Sequence, residues 1–202
     1  MKRVLVQRTA AWIGVSTMVL AAASPVIVSA ATTSGNTTIN ATLASVISLT
    51  TSTTVALAVT PTSSGSATSA SDTVTVATNN ASGYSLTLAD TDTNTALVNG
   101  GNNIAGHAGT FASPTTLANN SWGYRVDGAG TFGAGPTTAQ TNQANLSGIW
   151  AGLPSSAAPQ QLKTTATNTA GDATSVWYGV KVDTSKPTGT YTDSVTYTAV
   201  TN

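Results

Sequence analysis

The chain contains no cysteine and no glutamate. Without cysteine there is no disulfide framework, no thiolate metal site and no thiol nucleophile, so stability has to come from buried area and strand pairing. Without glutamate, a two-carboxylate glycosidase centre would have to use aspartates alone. Charge of either sign is scarce: 7% of residues are charged, against about 25% in ordinary globular domains. Three of the seven basic residues, Lys2, Arg3 and Arg8, stand at the extreme N-terminus. Past residue 30, Arg125, Lys163, Lys181 and Lys186 face seven aspartates, a net charge of −3. That weakly acidic balance, with no basic stripe, argues against nucleic acid as a partner. Beyond residue 30 no apolar run approaches the ~20 residues of a spanning helix, so no membrane span is expected there.

The one long apolar run, Ala10 to Ala23, follows the basic start and leads to Pro25 and the small-residue triplet Val28-Ser29-Ala30. A positive end, a short apolar segment and small residues at a cleavage site make a secretory signal peptide. Residues 1–30 are therefore expected to direct export, and residues 31–202 to form a single secreted domain. Leu, Ile, Val and Phe make up 38 of 202 residues, a low share, but disorder also requires a high net charge, which is absent. Thr, Ser, Ala, Asn and Gly dominate the remainder. β-Branched Thr suits a half-wet pleated surface, and Asn and Gly suit tight turns.

Period-two alternation recurs and no helical period is sustained. Val74 and Val76 share one face of a strand, as do Tyr84, Leu86 and Leu88, and Asn79-Asn80-Ala81-Ser82-Gly83 between them reads as a hairpin turn. Strands are also expected at Thr38 to Leu43, Val46 to Leu49, Thr54 to Val59, Trp122 to Val126, Leu146 to Trp150 and Gln161 to Thr167. Pro61 to Ser71 reads as a Ser/Thr/Gly connection, and 99–109 and 127–138 as long loops. Near the C-terminus, Val176, Tyr178, Val180 and Val182 alternate with Trp177, Gly179 and Lys181. A turn at Asp183 to Gly189 would return Val195, Tyr197 and Ala199 as the second arm of a closing hairpin. Nine or ten such strands predict an all-β fold, an antiparallel β-sandwich of jelly-roll or immunoglobulin-like arrangement, with Val176, Tyr178, Val180, Val195 and Tyr197 in its core.

Thr73-Val74-Thr75-Val76 followed by Gly83-Tyr84-Ser85-Leu86-Thr87-Leu88, with the closing Gly189-Thr190-Tyr191 and its alternating strand to Thr198, resembles the WxL-type domains of Gram-positive surface proteins. The resemblance covers both ends of the exported part, and the chain lacks a Trp-x-Leu tripeptide. It implies a secreted β-sandwich at the cell surface, with cell-wall polysaccharide, peptidoglycan or other surface proteins as partners.

The residues that could carry chemistry are few. Asp90, Asp92 and Asn94 offer alternating oxygens like the start of a calcium loop, but the sixth and twelfth positions are Thr95 and Gly101 rather than Gly and an acid. No cofactor is expected. His107, the only histidine, lies in a Gly/Asn-rich loop, where an exposed ring is expected rather than the base of a Ser-His-Asp triad, and no Gly-x-Ser-x-Gly elbow accompanies it. Trp122, Tyr124 and Trp177 are the aromatic candidates for ligand contact, with core packing as the competing role. Lys163, Lys181 or Lys186 could join an Asn or Asp in an isopeptide bond, provided a buried acid stands beside the pair. The expectation is a non-enzymatic, secreted, cell-wall-associated protein with an adhesive or structural role. The alternatives are a pilin-like or surface-array assembly subunit whose open sheet edge accepts a strand from a neighbour, with the Thr- and Ser-rich stretch Ala31 to Thr38 as that strand, and an exported hydrolase.

Overall fold

The computed structural model describes residues 31–136 and 138–202. The expected signal peptide lies outside the described residues. The chain divides into two units, Met1–Thr42 and Leu43–Asn202. Of the first, residues 31–42 are exposed and form no strand.

The second unit holds every strand among the described residues: β1 (Ile47–Thr50), β2 (Ser66–Thr78), β3 (Tyr84–Asp90), β4 (Leu97–Asn99), β5 (Asn102–Gly106), β6 (Ser121–Val126), β7 (Gln140–Gln143), β8 (Gln160–Thr164), β9 (Thr169–Val182) and β10 (Val195–Thr201). They make two sheets. The larger runs β1-β2-β9-β6-β5-β4, with β7 added to β2, and the smaller runs β10-β3-β8. Every pairing is antiparallel except β5 with β6. The fold is all-β, as the alternation and the Thr-rich composition imply.

The main core lies between the sheets. Val74 and Val76 of β2, Val176, Tyr178 and Val180 of β9, and Trp122, Tyr124 and Val126 of β6 pack with Tyr84, Leu86 and Leu88 of β3 and Leu162 of β8. Val195, Tyr197 and Ala199 of β10 are half-buried against it. The opposite face of the large sheet is covered too. Ala67, Leu117, Leu146, Trp150 and Trp177 form a second cluster there. Its floor is made of small residues: Ser69 pairs with Gly179, and Gly179 with Gly123. A Cβ on Gly179 would come within 2.6 Å of Leu146 Cδ1 and 2.8 Å of Trp150 Cζ3, so glycine there makes room for an indole ring that is fully buried.

Both expected hairpins are absent. β2 and β3 flank the Asn79-to-Gly83 turn but lie in different sheets, as do β9 and β10. Gly83 (φ +79°) and the Asn80 side chain, which donates to the Gly83 carbonyl at 3.0 Å, carry the chain across the sandwich instead of back along the same sheet. Two strands with alternating apolar faces satisfy those faces equally well by facing each other through the core, and alternation cannot separate the two arrangements. Other differences follow from burial. Ser66 to Ser71, expected as a connection, is the first half of β2, because small side chains fit a strand covered on both faces. β4, β5 and β7 lie in or beside segments expected as loops. Thr54 to Val59 keeps its alternation, with Val55, Leu57 and Val59 against the core, but joins neither sheet. Side chains satisfy its backbone instead: Thr68 Oγ1 donates to the Ala58 carbonyl at 2.9 Å, and the Thr60 amide donates to Asn142 Oδ1 at 2.7 Å. Thr38 to Leu43 forms no strand, and Leu146 to Trp150 contributes only the bridge of Trp150 to Thr115.

Two polar ties join the sheets. Asp172 on β9 accepts from Tyr84 Oη on β3 at 2.8 Å and from Lys163 Nζ on β8 at 2.6 Å. The Tyr178 and Tyr197 hydroxyls meet at 2.7 Å.

Candidate functional site

Where the chain enters β10, a cleft of about 870 Å³ opens between the two layers. Its floor is the inward face of the large sheet, with Trp122 of β6, Tyr178 and Val180 of β9, Ile104 of β5 and Leu97 of β4. Residues 51–59 form one wall, and residues 189–195 with Tyr197 form the other. The volume falls within the range of small-molecule sites, and the lining has the usual form of apolar and aromatic walls with a few polar groups.

The aromatic groups are fixed in place. Trp122 and Tyr178 stack with centroids 6.4 Å apart, and Trp122 Nε1 donates to the Thr95 carbonyl at 2.9 Å. Burial, together with the Tyr197 hydroxyl, holds the Tyr178 phenol protonated far above its ordinary range. Two carboxylates border the cleft. Asp72, 2% exposed, accepts from the Ser52 amide at 3.0 Å and from the Thr51 hydroxyl, and so fastens the start of the 51–59 wall to β2. Asp193 accepts from the Ser194 amide at 2.8 Å through Oδ1, while its buried Oδ2 has no partner. Asp90, 1% exposed, likewise has an unpartnered Oδ2. Burial, then the Asp90 and Asp92 carboxylates, push the Asp193 carboxyl up to about 6, although the Ser194 amide pulls the other way.

Asp90, Asp92 and Asn94 stand at the end of β3 and the tip that follows. Asp90 Oδ1 accepts from the Asp92 amide at 3.0 Å and Asp92 Oδ1 from the Asn94 amide at 2.6 Å, a ladder of Asx turns that shapes the tip. Among the described residues no group of three or more His, Cys or acidic side chains is placed to hold a metal ion. The three aromatic candidates do not share a surface. Trp122 borders the cleft, Tyr124 is 1% exposed and packs on Phe132 at 6.0 Å, and Trp177 lies in the second core with Nε1 donating to Asp127 at 2.8 Å.

His107 corrects the expectation of an exposed ring. It is buried, with Nε2 2.9 Å from Thr115 Oγ1 and Nδ1 accepting from the Ala118 amide at 3.4 Å. Burial lowers its pKa, so the neutral ring acts as a strut for the 107–118 loop that covers Trp150. Arg125, fully buried, donates through Nη2 to the Phe132 and Ala134 carbonyls at 3.0 and 3.1 Å and holds the following loop. Of the lysines, Lys163 reaches a carboxylate. Burial would raise the Asp172 pKa, but hydrogen bonds from Lys163 and Tyr84 hold it below the ordinary carboxylate range. A carboxyl held below its ordinary range is ionised at neutral pH, whereas amide condensation starts from a protonated acid.

Comparison with protein-family models, with curated proteins and with solved structures finds no match to this chain.

Proposed function

We propose that the chain is an exported, non-catalytic cell-surface or cell-wall-associated protein, in the manner of the WxL-type domains that its two ends resemble. The observation that carries this reading is how the scarce ionisable side chains are used. His107 braces a loop, Arg125 ties loop carbonyls, and Asp172 clamps the sheets together through Tyr84 and Lys163. A domain that commits its only histidine and, among the described residues, its one buried cation to architecture is built to present surface rather than to turn over substrate. The N-terminal export signature supports the same reading from the sequence.

The test is retention of the secreted chain on purified peptidoglycan sacculi, with release of glycan or peptide fragments measured in parallel. Retention without release is the expected result. Fragment release that scales with protein concentration would show a hydrolase and refute the reading. One observation also favours assembly of the surface protein with copies of itself: β10 ends its sheet and pairs through its backbone with β3 alone.

A further inference from the structure

We propose that residues 37–43 of one copy add as a strand to the outer edge of β10 in a second copy, so that the protein assembles head to tail. The inference rests on the surface-protein reading and names the partner of that surface: another copy of this chain.

The acceptor stands out among the sheet edges. An open edge displays unpaired N–H and C=O groups, and proteins ordinarily blunt such edges with shortness, charge, proline or bulges. β1 and β4 are edges of four and three residues. β8 carries Lys163 and a register shift against β3. β10 has none of these protections. Its seven residues, Val-Thr-Tyr-Thr-Ala-Val-Thr, contain no charge and no proline, pair with β3 in unbroken register, and leave Val200 57% exposed. Beside this edge lies the 870 Å³ cleft, bordered by Val195 and Tyr197 of β10 itself. An added strand would therefore find backbone partners on one side and apolar space for its inward side chains next to them.

The donor has matching features. The described residues have four exposed large hydrophobics, and apart from Val200 they are Ile39 at 89%, Leu43 at 80% and Val46 at 62%. Thr37-Thr38-Ile39-Asn40-Ala41-Thr42-Leu43 is seven residues with Ile39, Ala41 and Leu43 on one strand face and Thr38, Asn40 and Thr42 on the other. No charged residue occurs between Ala31 and Ser71, so nothing repels it from an uncharged edge. The segment joins the β unit just beyond this stretch, where Asn79 holds residues 44–46: its Oδ1 accepts from the Val46 amide at 2.7 Å and its Nδ2 donates to the Ala44 carbonyl at 2.8 Å. Main-chain pairing would supply affinity, and the inward Ile39, Ala41 and Leu43 side chains would set register. Because donor and acceptor are different surfaces, the contact is heterologous and propagates into open chains.

The test uses the secreted chain and two variants altered only at exposed positions: a donor-blocked form, Ile39→Asp with Leu43→Asp, and an acceptor-blocked form, Thr196→Lys with Thr198→Lys. The parent should show concentration-dependent oligomers by sedimentation velocity, and each variant alone should be monomeric with unchanged circular dichroism. Mixed, the two variants should give a 1:1 complex that grows no further, because one retains the acceptor and the other the donor. A parent that stays monomeric at millimolar concentration, or oligomers that persist in both variants, overturns the proposal. Sacculus retention of the monomeric variants separates the two failures: retention without assembly leaves the surface reading standing, and assembly without retention leaves this inference standing.

Discussion

Substituting Gly179 by alanine sets two physical effects of opposite sign against each other. Gly179 lies inside β9, with a negative or extended backbone conformation rather than one that demands glycine. On conformational grounds alone, Gly→Ala inside a strand should stabilise by roughly 0.5–1 kcal/mol. Packing opposes this. The new Cβ would meet Leu146 Cδ1 at 2.6 Å, Trp150 Cζ3 at 2.8 Å and Trp150 Cη2 at 2.9 Å, each about 1 Å inside ordinary carbon contact. Trp150 has little freedom to withdraw, since its amide donates to the Thr115 carbonyl at 2.7 Å and its carbonyl accepts from the Thr115 amide at 3.0 Å. Overpacking a closed core costs about 1–3 kcal/mol, so packing outweighs propensity and the variant should be net destabilised. Net of the opposing gain, the mid-range loss is about 1.25 kcal/mol, a fall of roughly 3–5 °C in Tm for a unit of this size. Thermal and urea unfolding of parent and Gly179→Ala measure it, and Leu146→Ala in the same background should return part of the loss through non-additive coupling. A Gly179→Ala variant as stable as the parent, or more so, would refute the account of glycine as the floor beneath Trp150.

The Asp193 carboxyl, raised from 3.8 to about 6 in the fold, holds its proton more tightly there than in the unfolded chain. Its favourable contribution is complete below pH ~4 and is lost as pH rises through about 6, so Asp193→Asn should be more stable than the parent at pH 7 and converge with it near pH 4 in urea titrations. A gap that does not change with pH would count against the Asp90–Asp193 contact. Tyr84→Phe removes a hydrogen bond to a charged carboxylate and should cost about 1.5–3 kcal/mol at neutral pH. Lys163→Met, at a partly exposed ion pair, should cost less than about 1 kcal/mol. Because Asp172 titrates below its ordinary range, the Tyr84→Phe penalty should shrink as pH falls through that folded pKa, and a Lys163 effect larger than that of Tyr84 would reverse the ranking.

Strand existence was readable where side chains alternate sharply in size and polarity. Val74/Val76, Tyr84/Leu86/Leu88 and Val176/Tyr178/Val180 all lie in strands with those faces inward. Pairing was not readable, because the two arches replace hairpins without changing a single inward residue. Nor was the second core. Leu117 comes from a loop without a period, Leu146 and Trp150 from a segment expected as a strand that instead folds over the sheet, and the depression that receives them is made by residues, Ser69, Gly123 and Gly179, whose signal is a small or missing side chain.

The acids at the margin of the core, by contrast, follow from the alternation once it is carried far enough. The inward series of β10 runs Ala199, Tyr197, Val195, and two residues further back in the same phase stands Asp193. The inward series of β3 runs Tyr84, Leu86, Leu88 and ends on Asp90, and that of β2 runs Val76, Val74 and reaches Asp72. Reading each series only through its apolar members drops the acid that follows them, although backbone phase, not polarity, decides which way a side chain points. Each of these three aspartates sits where an inward face meets a turn or an irregular wall, and there it acts on the backbone or on another acid: Asp72 holds the 51–59 wall, Asp90 shapes the tip through the Asp92 amide, and Asp193 leans on Asp90. Of the seven acids, Asp90 ends the inward face of β3, Asp193 precedes that of β10, and Asp72 lies midway along β2 where the 51–59 wall meets it, so part of the scarce negative charge lies at the margin of the core.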